Sequence, residues 1–238
     1  MNRALYAAAT GMAAQQQTLD TVADNLANAD VAGFKRATAT FAALGDGLGT
    51  APAGLLRSFE QGKLEKSGGP CDLAIEGAGF FRVERDGATA YTRAGAFSRA
   101  ADGSLRDAEG WRLHGIRIPA DAVALDVRPN GTVVARLPGN ASRTLGRIEL
   151  AQFDAPERLQ PLGSALFAAT PLAGKPRMVA PGGPHGPALA FGALEHANVS
   201  IYASMIEILT AQRAYEANAK AVQASDEMLR IANNLHRG

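Results

Sequence analysis

Residues 201–229 read IYASMIEILTAQRAYEANAKAVQASDEML, and along them Ile201, Ile208, Tyr215, Val222 and Leu229 stand seven apart. An α-helix turns once in about 3.6 residues, so a side chain repeated at every seventh position returns almost to the same azimuth and draws a narrow apolar seam. The other end of the chain repeats the device, with Leu5, Met12, Leu19 and Leu26 at the same spacing. Both ends therefore predict helices built to pack on other helices, over residues 3–28 and 199–236. At about 1.5 Å per residue these would be roughly 39 Å and 57 Å long. Small residues beside the first seam, Ala8, Ala9 and Ala13, would let a neighbouring backbone come close, while Arg213, Glu216, Lys220, Glu227 and Arg230 lie mostly off the second. A hairpin of two helices so unequal leaves part of the longer seam bare, and a further subunit would cover it.

The middle of the chain has a different period. Leu73 to Ile75, Phe80 to Val83, Tyr91-Thr92, Trp111 to Leu113, Ile116 to Ile118, Val133-Val134 and Ile148 to Leu150 are short β-prone runs. Between them stand Asp86-Gly87, Asp102-Gly103, Glu109-Gly110 and Asn130-Gly131, dipeptides that tolerate the positive φ of tight hairpins. The expected fold class is α+β: a discontinuous helical coiled-coil domain from residues 1–35 and 194–238, and an antiparallel, mainly β domain over 70–180. Residues 36–69 read as an extended linker, and 181–193, which follow Ala180 in the Gly/Pro-rich APGGPHGP of 180–187, as a connector.

Composition removes several classes of function. A chain 47% hydrophobic and 20% charged folds, and a net charge of +1 without a dense Lys/Arg run offers nucleic acid or an anionic membrane no general attraction. No segment is apolar over the length of a bilayer, so membrane insertion is not expected. The N-terminal Ala-rich stretch is broken by Thr10, Gly11 and Gln15 to Gln17, unlike a cleaved signal peptide. The single cysteine, Cys71, forms no intramolecular disulfide.

Three blocks, in order along the chain, resemble the rod and hook axial proteins of the bacterial flagellum. The first is Ala7 to Met12 with Gln15-Gln16, then Asn25-Leu26-Ala27-Asn28 and Gly33-Phe34-Lys35-Arg36. The second runs from Asp72 to Phe81, followed by Tyr91-Thr92-Arg93-Ala94-Gly95-Ala96-Phe97. The third is Leu194-Glu195-His196-Ala197-Asn198-Val199 with Gln212 to Asn218. The resemblance is to distal-rod subunits in the ends and the Gly-Phe-Phe block, although only residues 42–56 stand where many of these carry a longer insertion; a proximal-rod subunit is the alternative. It implies terminal helices stacked around a channel and a β domain on the outside of a helical tube that transmits motor torque. It also implies self-association, contact with other rod and hook axial proteins and with the surrounding basal-body rings, and delivery by the flagellar type III export apparatus without a cleaved signal, to a rod spanning the periplasm. In the motif itself, Asn25 and Asn28 are expected to bond backbone groups freed at the helix end, and Gly33 to permit the bend before Phe34.

Catalytic patterns are sparse. His114, His185, His196 and His236 lack the spacing of metal ligands, and no cofactor is expected. Gly45 to Gly49 lacks the Lys-Ser/Thr ending of a phosphate loop, and Gly77-Ala78-Gly79 sits in a β pattern where close strand approach or a bulge explains it. Cys71 has no neighbouring histidine in sequence to act as base. The expectation is a structural protein, not an enzyme. Readings of a different class are a periplasmic ligand-binding module using Trp111, Tyr91 and Phe97, which are better explained as core, and a peptidoglycan hydrolase, since a rod must cross the cell wall.

Overall fold

A computed structural model of the protein describes residues 3–45, 49–183 and 186–235. The chain divides into two compact units, one formed by residues 1–28, 36–58 and 199–238 and the other by residues 29–35 and 59–198. His185, His236 and part of the Gly45–Gly49 run lie outside the described residues.

The first unit holds α1 (Arg3–Ala27), α2 (Ile201–Leu235) and an antiparallel hairpin of Ala37–Ala43 with Thr50–Arg57. Both helices fall where the heptads place them. Along α2 the buried positions are Ser204, Ala211 and Ser225, with Asn218 half-buried between them. These too are seven apart, and they interleave with Ile201, Ile208, Tyr215, Val222 and Leu229 in alternating steps of three and four, the pattern of a two-layer coiled-coil seam. One layer is large and apolar, the other small or polar. On α1 the buried residues are Ala8, Ala14, Thr21, Val22 and Asn25. Gly11 shows how closely α1 and α2 meet: a Cβ there would lie 2.8 Å from Asn218 Nδ2.

The hairpin occupies much of the 36–69 segment expected as a linker. Its register is fixed at both ends by α1. Asn25 Nδ2 donates to the Ala37 carbonyl at 2.7 Å and the Ala37 amide donates back to Asn25 Oδ1 at 2.8 Å, so the amide side chain imitates one rung of a β ladder. At the other end Gly49, at φ +98°, sits against Thr10, whose hydroxyl would be 2.0 Å from a Cβ at that position. The strands are Ala- and Thr-rich and carry a register shift at Thr40/Phe41, which is why alternation does not announce them.

In the second unit a nine-stranded antiparallel sheet runs in the order Gln160–Gly163, Leu166–Ala168, Ala88–Thr92, Phe80–Arg85, Arg112–Arg117, Ser104–Arg106 and Ser98–Arg99, with Leu150–Gln152 and Arg177–Val179 branching from Phe80–Arg85. Ala124–Val127, Thr132–Arg136 and Ser142–Arg147 form a three-stranded sheet. The Asp-Gly and Asn-Gly signals are honoured: Asp86 (φ 51°) and Gly87 (φ 83°) close the two-residue turn between Phe80–Arg85 and Ala88–Thr92 with two positive φ angles. Trp111, Phe97, Phe81, Leu73, Ile75 and Leu189 belong to one core cluster, and Tyr91 joins Phe80 and Phe167 in a second, against which Phe59 and Phe153 pack. The three aromatics considered as ligand contacts are therefore core residues.

Two more boundaries differ from expectation. Ala188–Phe191 and Ala193–Glu195, within or beside the expected connector, are strands that pair with Leu73–Glu76 and Leu64–Lys66. Residues 29–35 and 194–198, expected with the helices, group with the β unit. Strands of three or four residues are too short to leave a periodic trace; Ala188–Phe191 is held by Leu189 in the apolar core, whereas Ala193–Glu195 carries the buried Glu195.

Candidate assembly surface

The large layer of the α2 seam is incompletely covered. Ile208 and Val222 are half-buried, while Ile201, Tyr215 and Leu229 are exposed. On α1, Leu5, Met12, Leu19 and Leu26 are all half-buried. The first turns of α2 go further: Tyr202 (78% exposed), Met205, Ile206 and Leu209 (56%) stand in water beside Ile201. A helix that is apolar on all sides is normally surrounded by protein. With Ser204 turned to the inside of the unit, the opposite faces of these turns present exposed apolar area.

A second feature lies wholly inside the β unit and was not legible as a site in the sequence. Glu195 is fully buried and its carboxylate gathers two cations: Oε1 accepts from Lys35 Nζ at 2.7 Å and Oε2 from Arg93 Nε at 2.7 Å. The Gly62 amide donates to Oε1 at 2.9 Å. Lys35 Nζ also donates to the Glu60 carbonyl at 2.6 Å. Arg93 extends its remaining donors to the carbonyls of Gly77 and Gly79, each at 2.9 Å, and of Ile75 at 3.2 Å. The Gly77-Ala78-Gly79 run thus serves as a carbonyl cradle for a guanidinium. Burial pushes the Lys35 ammonium below its ordinary pKa, and the Glu195 charge opposes that shift.

Around this cluster the backbone is locked as well. The Gly33 amide donates to the Glu195 carbonyl at 2.7 Å, and the His196 amide to that of Lys63 at 2.9 Å. Gly33 adopts φ +69°, and a Cβ there would come within 2.3 Å of the Ala94 amide nitrogen, so the bend after α1 admits no side chain. Asn28 caps the end of α1 as expected, donating from Nδ2 to the Asp24 carbonyl at 2.8 Å, whereas Asn25 serves the hairpin instead. Phe34 is buried, and Leu26 and Ala27 complete the last turn of α1.

The residues weighed for chemistry are dispersed. Cys71 is buried, which with the Asp72 charge pushes its thiol pKa up, so it is held as the unreactive thiol. The exposed Asp102 carboxyl is held well below the usual carboxylate range by the Ser104 hydroxyl and amide and by Arg106. His114 pairs with Glu84 and His196 with Glu65, both at the surface. Among the described residues no group of three or more His, Cys, Asp or Glu is placed to hold a metal ion, and no helix is long and apolar enough to cross a membrane.

Comparison with known proteins matches the same blocks. Residues 5–35 match the model for flagella basal body rod proteins, 74–135 that for the flagellar hook protein FlgE/F/G D1 domain, and 191–235 that for the flagellar basal body rod FlgEFG protein C-terminal region. The chain is 38% identical to the flagellar basal-body rod protein FlgG of Borreliella burgdorferi over the full length of both. It is 37% identical to FlgG of Agrobacterium fabrum, covering 97% of this chain and 98% of that one. To FlgF of Caulobacter vibrioides it is 30% identical, over 98% of this chain and 97% of the relative. Lys35, Arg93 and Glu195 each sit in one of the three blocks that carry the resemblance, and the fold gathers them on one carboxylate; with like sequence over the whole chain, the chain belongs to the family of flagellar basal-body rod proteins.

Proposed function

We propose that this chain is a structural axial subunit of the flagellar basal-body rod, of the distal type, which polymerises into a helical tube and transmits motor torque. The observation that carries the reading is the full-length likeness to FlgG proteins, at 37% and 38% identity against 30% for a FlgF. The apolar first turns of α2 supply its physical content: each subunit would bury Tyr202, Met205, Ile206 and Leu209 against neighbours, with the large seam residues Ile201, Tyr215 and Leu229 packed at the same interface. Repeated along a lattice, such contacts resist twisting without any one of them being strong.

Self-association is the primary partnership in this reading. Further contacts would be made with other rod and hook axial proteins at the two ends of the stack and with the basal-body rings around it, and the chain would arrive through the flagellar export apparatus. No catalytic step is assigned. Hook–basal bodies purified from the native strain and decorated with an antibody against the β unit should carry label on the rod, on the shaft near the hook. Label confined to the hook or filament, or none on intact basal bodies, would sink the assignment.

A further inference from the structure

One cleft of the β unit collects positive charge that the protein itself does not neutralise. It measures about 420 Å³, and Arg99, Arg117 and Arg143 are among the residues that line it. Arg99 is fixed by neutral groups only: Nη1 donates to the Ala122 carbonyl at 3.1 Å and Nη2 to those of Pro119 and Ala120 at 2.9 and 3.1 Å. Arg117 Nε donates to the backbone carbonyl of Asp102 at 3.0 Å, and both its Nη groups are left over. Arg143 lines the same space from the strand Ser142–Arg147.

The single carboxylate among the lining residues, Asp102, is already engaged. Its Oδ1 accepts from the Ser104 amide and hydroxyl at 3.0 and 2.6 Å, and its Oδ2 from Arg106 at 2.8 Å, outside the cleft lining. Among the described residues none of the three arginines is ion-paired with a carboxylate. Carbonyl bonds hold two of the guanidiniums in place, so a ligand would not have to order them, and a guanidinium fork matches an oxyanion. The cleft is also lined by half-buried Pro119 and Leu145, with Ile118 buried behind them. A lone inorganic oxyanion would leave the exposed apolar parts of Pro119 and Leu145 wet, whereas an acidic peptide would cover them with an aliphatic side chain while its carboxylates meet the arginines.

We propose that the Arg99, Arg117 and Arg143 cleft is a docking site for an acidic peptide segment of another protein chain, one in which carboxylates alternate with apolar residues. The inference does not depend on the rod assignment. Its test uses the full-length protein at low ionic strength, titrated with acetyl-Glu-Leu-Glu-Leu-Glu-amide and followed by NMR of the arginine side chains. Saturable shifts at these three arginines are expected, weakening several-fold between about 0.05 and 0.2 M salt. Arg143→Gln, which breaks no bond seen in the fold, should weaken binding about three- to fivefold, and the double change Arg117→Gln/Arg143→Gln by about tenfold or more. The neutral peptide with Gln in place of Glu should bind at least about tenfold more weakly. Absence of saturable binding, affinity unmoved by Arg143→Gln, or inorganic phosphate displacing the peptide at lower concentration than the peptide itself requires would each overturn the proposal.

Discussion

Glu195→Ala should lower the stability of the β unit by about 3–5 kcal/mol, the usual penalty when one partner is removed from a buried ion pair and the other charges stay behind. Here two cations stay behind, Lys35 with no exposed side-chain surface and Arg93 with almost none. The single tryptophan, Trp111, is buried in that unit, so its fluorescence during urea unfolding reports the effect directly. With a slope near 2 kcal/mol per molar, the midpoint should fall by about 2 M. Glu195→Gln should also lose most of this, because its amide would turn hydrogens toward Lys35 and Gly62 or toward Arg93, all of which already donate. Glu65→Ala, which removes surface pairs with Lys63 and His196, should leave the midpoint nearly unchanged. A midpoint for Glu195→Ala within about 0.3 M of the parent would show that the cluster does not hold the unit together.

Leu209→Asp should abolish assembly while leaving the folded subunit intact. Leu209 is exposed in the single chain, so a charge there costs the subunit within about 0.5 kcal/mol. Buried against a neighbour and unpaired, the same charge costs several kcal/mol at every repeat of the lattice. The expected phenotype is loss of swimming with an unchanged Trp111 unfolding midpoint. The same substitution at Ala211 differs in kind: Ala211 is buried against the rest of its own unit, so Asp there should destabilise the subunit before assembly begins. Normal swimming by the Leu209→Asp strain would show that the apolar start of α2 is not an assembly surface.

How much of this was legible in the sequence follows from what each feature depends on. A seam of nine heptad residues, from Leu5 to Leu229, is a local periodic signal, and both helices lie where it puts them. What the period did not reveal is which layer faces inward, because Ser204, Ala211, Asn218 and Ser225 repeat at the same interval and are chosen by the close approach at Gly11. Turns with Asp-Gly and Asn-Gly were readable because positive φ restricts residue type. Lys35, Arg93 and Glu195 were not, since a charge beside a strand ordinarily faces solvent, and contacts separated by 160 residues have no spacing to read. Their signal was membership in the three blocks of family resemblance, which pointed to shared identity without saying that one carboxylate joins them.

Electron microscopy of basal bodies from a strain lacking the gene for this chain tests whether it forms a torque-transmitting segment of the rod. The rod should stop short, with no hook or filament beyond it, and regain full length with the native chain but not with the Leu209→Asp variant. Basal bodies of full rod length bearing hooks in the deletion strain would contradict it.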